Sequence, residues 1–372
     1  MTRTRRSLRR GIAWTAPLAT AAVIGAAVAV PMAASAGTPG LAGTTPEALL
    51  AALRTTDVTH LSGQVEETAR LGLPSLPGQD DTASLNWQTL VTGTHTGNLA
   101  VDGPQRQRLA LLGTLAESDV VHNGSDVWTY ASSTREVTHV VLPADRPDGA
   151  GTTPDPGDPM NATPLGAAQH LLAAITPTTG VSMAENTRVA GQDAYALVLT
   201  PEDAGSTIGR VVIAVDATRH VPLRVQVFGA GAPADPVFET GFTSISYDRP
   251  SAATFDFSVP AGATVTTRDR STGAAKQPNG HTGTPAPTVL GSGWTSVVEF
   301  TPGPGALAAL GPATGAQSGR SSTELLDRLL TVQPNGDRLL ATALVNVLLT
   351  PDGRVFAGAV QPSVLQQASA TR

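Results

Sequence analysis

Short stretches of alternating apolar and polar residues run from about residue 61 to residue 247 and predict an antiparallel β-sheet. Asn123-Gly124 is a tight hairpin turn between two of them. Thr45 and Thr163 each precede a proline and an apolar stripe, which predicts helices beginning at Pro46 and Pro164. The clearest predicted strands are 90–101, 105–112, 119–122, 126–130, 136–142, 188–190, 194–200, 210–216, 221–228 and 238–247.

A smaller unit follows a segment rich in Gly, Pro and Thr, which has the composition of a linker. In that unit a strand is predicted over 294–300, and the capping box from Ser321 to Glu324 predicts a helix. A hairpin is predicted with arms 339–349 and 354–360. The predicted divisions are a targeting segment or membrane anchor at 1–36, a β domain at 44–265, a linker at 266–287 and a small α+β unit at 288–372.

The first 36 residues have the pattern of an export segment. Five arginines precede an apolar run over 12–30, and Ala34-Ser35-Ala36 fits a cleavage site. The apolar run is also long enough to cross a bilayer, with the arginines on the cytoplasmic side. The sequence therefore predicts an extracytoplasmic protein, either secreted after cleavage near Ala36 or anchored to the cytoplasmic membrane by residues 12–30.

Composition and motifs exclude several classes of function. The chain contains no Cys, so disulfides, thiolate metal sites and a cysteine nucleophile are excluded. The net charge is −6 and no basic stripe carries aromatic residues, so a nucleic-acid partner is not expected. No G-x-S-x-G, H-E-x-x-H or Walker A motif is present. We therefore expect neither an enzyme nor a cofactor, and we interpret His122 and His139 as polar strand positions rather than metal ligands.

A curved antiparallel sheet with one apolar face must cover that face with its own helices, close into a barrel or hold an apolar ligand. Aromatic residues make up only 4% of the chain, so aliphatic side chains would line most of any cavity, and such walls suit acyl chains. Ordinary core packing of the sheet against its own helices explains the apolar strand positions at least as well as a lipid cavity does. Strand alternation selects nine candidates for a lipid cavity: Val65, Leu90, Leu109, Leu111, Val127, Leu197, Val211, Val225 and Phe257. Trp128 is the tenth candidate and faces either the cavity or the lid, since its neighbours Val127 and Thr129 point the opposite way.

Several stretches of the chain resemble the LolA-like lipoprotein-carrier family. Residues 121–130 (VHNGSDVWTY) resemble its hairpin, residues 189–225 its central strands, and residues 255–262 (FDFSVPAG) its closing motif. The order and spacing agree over about residues 45–265. Leu71-Gly72-Leu73-Pro74 and the stretch 293–297 are similar to exported members of the family from actinobacteria.

This resemblance implies an α+β fold in which a strongly curved, incompletely closed antiparallel sheet, a LolA-like half-barrel, wraps around a helical lid. It also implies a non-catalytic carrier whose cavity binds a lipid or an acylated lipoprotein. The unit at 288–372 is an addition to the typical carrier and resembles the second domain of RseB-like regulators. The alternative is therefore a regulator or envelope sensor that binds a membrane anti-sigma factor or another membrane protein.

Overall fold

The computed structural model describes residues 40–56, 59–72, 92–113, 117–143, 159–231, 234–269, 287–302 and 330–371. Within these ranges one large sheet contains twelve strands. Its strands are β1 His60–Arg70, β2 Thr92–Asp102, β3 Arg106–Leu112, β4 Glu117–Asn123, β5 Asp126–Ala131, β6 Glu136–Val141, β7 Thr179–Val189, β8 Gln192–Pro201, β9 Ile208–Asp216, β10 Pro222–Gly229, β11 Phe238–Ser246 and β12 Thr264–Asp269.

The large sheet is curved and is not closed into a barrel. Its strand order is β12-β6-β5-β4-β3-β2-β1-β11-β10-β9-β8-β7, so β12 and β7 stand at opposite ends. Every neighbouring pair is antiparallel except β12 and β6. This architecture confirms the predicted α+β half-barrel class.

Two capped helices pack on one face of the large sheet, as predicted. Helix α1 spans Pro46–Thr55 and helix α2 spans Pro164–Ala173, and the hydroxyls of Thr45 and Thr163 accept backbone N–H groups of their first turns. Leu49 of α1 and Ala168 of α2 pack with alternate residues of β8, β9 and β10. We call this side of the sheet the inner face and the opposite side the outer face. Residues paired across neighbouring strands share a face, so the register assigns the remaining positions.

The chain between β11 and β12 crosses the outer face. Arg108 of β3 donates to the carbonyl of Thr254, and Asn123 of β4 donates to the carbonyl of Phe255. Phe255 is fully buried there. The crossing ends in β12, which occupies residues 266–269 of the predicted linker, and residues 270–286 lie outside the described ranges.

A second sheet of six short strands and one helix follow. It packs against the large sheet: Ser206 forms a β-bridge with Val360, and the indole of Trp294 donates to the hydroxyl of Thr179 at 2.8 Å. Its core is formed with helix α3, Pro362–Ala370. The strands, in the spatial order β13-β14-β18-β17-β16-β15, are β13 Thr288–Leu290, β14 Val297–Phe300, β18 Val355–Gly358, β17 Asn346–Leu349, β16 Arg338–Leu340 and β15 Thr331–Val332.

Two predicted strands of this second sheet need correction. Residues 293–295 form a 3-10 turn, so the strand predicted over 294–300 begins only at Val297. The predicted arm 339–349 is two antiparallel strands, β16 and β17. The hydroxyl of Thr342 accepts the N–H groups of Leu344 and Val345 and forms the turn that separates them.

Several sequence predictions fall outside the described residues: the targeting segment 1–36 with its apolar run, the candidate Leu90 and most of the helix predicted from Ser321. Within the described ranges, none of the helices has both the length and the hydropathy needed to span a bilayer.

Candidate functional site

The ten predicted cavity residues divide between the two faces of the large sheet. Leu90 lies outside the described residues. Trp128 and Phe257 lie on the outer face, because Trp128 pairs with the outer-face residue Val121 and stacks on Phe257. The remaining seven lie on the inner face: Val65, Leu109, Leu111, Val127, Leu197, Val211 and Val225.

Three of these seven side chains are sealed beneath the helices. Leu197, Val211 and Val225 are fully buried and belong to one cluster with residues of α1 and α2. Val65, Leu109 and Leu111 belong to a second cluster with Leu61, Leu99 and Phe242, against which Met160 and Leu165 pack at the start of α2. The inner face therefore has two apolar parts, and only the second extends toward β4, β5 and β6.

The inner face becomes more polar and more open toward β5 and β6. Across the sheet, Leu99, Leu109 and Val120 are followed in register by Thr129 and Thr138. The row beside it ends in the cross-strand pair Val127 and Val140, both partly exposed. A long apolar molecule with a polar end matches this gradient from aliphatic to hydroxyl-bearing side chains.

A carboxyl group that the sequence analysis did not select also lies on the inner face. Glu67 of β1 pairs with His95 of β2 and Thr240 of β11, two residues along the strand from Val65. Glu67 is only 4% exposed, and neither carboxyl oxygen has a hydrogen-bond partner among the described residues. Burial raises the pKa of Glu67 to about 8. The alternation Leu61, Val65, Glu67, Ala69 was the available signal, because it places an acid at an apolar position.

The aromatic candidates form a separate stack on the outer face. The ring centroid of Trp128 lies 3.7 Å from that of His139 and 5.2 Å from that of Phe257. His139 Nε2 lies 2.6 Å from a carboxylate oxygen of Asp126. His122 lies on the inner face, so the two histidines of the hairpin do not converge. No group of three or more possible metal ligands occurs among the described residues.

A cavity of about 590 Å³ lies on the outer face, between β1, β2, β3, β11 and the crossing segment. Seven of the eleven residues that line it have polar side chains, and the ten predicted residues are not among the described residues that form it. The guanidinium of Arg108 at its wall is held by Asp119 at 2.6 Å. The polar members of the lining are Ser62, Gln64, Asn98, Arg108, Glu117, Ser244 and Thr254. This cavity therefore differs in its lining from the inner face, where the predicted aliphatic residues lie.

No family model and no curated protein sequence matches the chain. Solved structures do match it at low identity. The complex of MucA and MucB from Pseudomonas aeruginosa has a TM-score of 0.39 and 16% identity, covering 86% of this chain and 93% of that chain. An uncharacterized conserved protein from Thermus thermophilus has a TM-score of 0.34 and 12% identity, covering 60% of this chain and 98% of that chain.

A LolA-superfamily protein from Nitrosomonas europaea has a TM-score of 0.24 and 11% identity, covering 58% of this chain and 99% of that chain. Similarities of this size transfer neither a ligand nor a partner. The function therefore has to be argued from the inner face itself.

Proposed function

We propose that the protein is an exported, non-catalytic binding protein that holds the acyl chains of a lipid or an acylated lipoprotein on the inner face of β1 to β6. One observation carries the proposal. Aliphatic side chains recur beyond the buried second cluster at partly exposed Leu111, Val127 and Val140, interspersed with His122 and Thr129, whereas the main contacts of α1 and α2 among the described residues are with β7, β8, β10 and β11. The described helices thus cover one end of the inner face, and a partly apolar surface runs on beyond them.

The energetics of burial support an acyl ligand. Each methylene removed from water contributes about 0.8 kcal/mol, so six methylenes contribute about 5 kcal/mol before the cost of association. The partly exposed side chains of Leu111, Val127 and Val140 offer dispersion contacts without directional demands. The motifs at 121–130 and 189–225 that resemble the lipoprotein-carrier family favour the same ligand class, and the export pattern of residues 1–36 favours an extracytoplasmic location.

Replacing inner-face valines by asparagine tests the proposal. Val127→Asn and Val140→Asn place an amide against the acyl chain, and we expect each to weaken the binding of a fluorescent acyl probe about tenfold, because an unpaired amide is costly to bury. Val141→Asn is the matched control, since Val141 neighbours Val140 on the outer face and is also partly exposed. Its affinity should stay within about twofold of wild type. An equal loss in all three variants, or in none, would count against the inner face.

A second candidate function is a regulator that contacts a membrane protein through the second sheet. Val289 and Val298 pair across β13 and β14 and are 63% and 36% exposed. They lie on the face opposite the core formed with α3. If this face binds a partner, the double variant Val289→Asp/Val298→Asp should lose crosslinks to a membrane protein in the native host while acyl binding is retained. Crosslinks that persist unchanged would remove this face from consideration.

A further inference from the structure

Glu67 is a buried acid in the apolar part of the inner face, and no described residue is its hydrogen-bond partner. Val65 and Ala69 flank it along β1, and Phe242 of β11 lies opposite Val65. Its exposed fraction of 4% leaves the side chain almost wholly out of contact with water. Buried carboxyl groups normally have hydrogen-bond partners in native proteins, and an exception calls for an explanation. An apolar residue of similar size would fill the same space without the cost of desolvation.

The protonation state of Glu67 defines what it can bind. Burial raises its pKa to about 8, so the group is mostly a neutral acid at pH 7. A neutral carboxyl group has one O–H donor and retains an acceptor oxygen. The titratable group that faces it from β2 is His95, while the register places Thr240 and Phe238 beside it on β11. Helix α2, which packs on β11, carries His170.

We infer that the carboxyl group of Glu67 donates a hydrogen bond to the carbonyl oxygen of an acyl ester or acyl amide whose hydrocarbon chain lies against Val65, Leu109 and Leu111. This inference rests on the proposed function and names the chemical group at the end of the chain. A carbonyl is an acceptor that always accompanies an acyl chain. A cationic ligand would require the ionised acid, and burial disfavours that form.

The test compares two short-chain lipids that differ only at the carbonyl. Dioctanoyl phosphatidylcholine has ester linkages, and its dioctyl ether analogue lacks both carbonyl oxygens. On the full chain at pH 7, calorimetry should show the ester lipid binding about tenfold more tightly than the ether lipid, since an ether oxygen is a weaker acceptor for the buried donor than a carbonyl oxygen. An N-octanoyl peptide, tested in the same way, shows whether an acyl amide uses the same donor and separates a lipoprotein from a lipid as the source.

Three variants assign the preference to Glu67. Glu67→Leu should bind both lipids with equal affinity, whereas Glu67→Gln should keep the preference for the ester because its amide still donates. Glu66→Gln, at the neighbouring position on the outer face, should behave as wild type. Equal binding of ester and ether by wild type would overturn the inference and leave the proposed function intact, as would a preference that survives in Glu67→Leu. Absence of binding for every acyl probe would overturn both.

If Glu67→Leu does not fold, wild type and Glu67→Gln still decide the question. The inference requires an ester preference in both proteins. It also requires that the wild-type preference decline as the pH rises through about 8, where Glu67 loses its donor, and that the preference of Glu67→Gln stay constant. A wild-type preference that is independent of pH would contradict the inference.

Discussion

Glu67→Gln is expected to remove most of the pH dependence of folding between about pH 5 and pH 8.5. The pKa of Glu67 rises from its ordinary value of 4.5 to about 8 on folding, so the native state binds more protons than the unfolded state within this window. The free energy of unfolding of wild type therefore falls as the pH rises from about 4.5 to about 8. Each pH unit contributes about 1.4 kcal/mol, so the whole loss is about 3–5 kcal/mol.

Urea unfolding followed by circular dichroism at pH 5, 7 and 8.5 measures this effect. Glu67→Gln should lie within about 1 kcal/mol of wild type at pH 5 and be more stable by about 3 kcal/mol at pH 8.5. Glu66→Gln is the control, because Glu66 occupies the neighbouring outer-face position. Its pH profile should follow wild type. Parallel profiles for wild type and Glu67→Gln would show that Glu67 is ionised in the folded protein at neutral pH.

Asp216→Ala is expected to lower the free energy of unfolding by about 3–5 kcal/mol, the second large effect. Asp216 ends β9 and is 2% exposed. One carboxylate oxygen accepts the N–H groups of Thr218 and Arg219 at 2.8 and 2.6 Å, and the other accepts the hydroxyl of Tyr247 at 2.7 Å. Alanine leaves these three donors without their acceptor and opens the turn that leads into β10.

The effect of Asp216→Ala has a matched control on the adjacent strand. Asp193 pairs with Arg188 in an ion pair whose side chains are about 40% exposed, so Asp193→Ala should cost less than about 1 kcal/mol. Urea unfolding at pH 7 compares the two variants directly. Burial, with the hydrogen bond to Asp216, also raises the pKa of Tyr247 above its usual range, and this shift should decrease in Asp216→Ala. Equal small losses of stability in both variants would contradict the assigned role of Asp216.

The sequence predicted the elements whose periodicity is strong. The caps at Thr45 and Thr163 were sufficient to predict where the two helices begin. The alternation along β8, β9 and β10 was sufficient to predict these strands, because they bury one apolar face against the helices. Most of β7 was missed because edge strand 179–189 carries mainly polar, partly exposed residues. The six exposed residues of β12 have the composition of a linker, and only pairing with β6 reveals them as a strand.

In the candidate site, too, local sequence patterns do not reveal contacts between distant parts of the chain. Alternation implies opposite faces for Val127 and Trp128, yet both were selected as cavity candidates. It could not show that residues 249–263 cross the outer face and place Phe257 on Trp128. Glu67 acquires its environment from β2 and from β11, and β11 lies about 170 residues further along the chain. A local pattern marks Glu67 as an acid in an apolar row. Only the folded register shows that no group in the described part of the chain forms a hydrogen bond with its carboxyl oxygens.

Native mass spectrometry of the protein, purified from its own host without detergent, tests most directly whether the inner face holds acyl chains. Extraction then identifies any bound molecule. The proposed function predicts a stoichiometric adduct with the mass of a lipid or an acylated polypeptide, and depletion of that adduct in Val127→Asn but not in Val141→Asn. A protein mass without any adduct, unchanged after incubation with host lipids, would show that the inner face is packed core and would contradict the proposal.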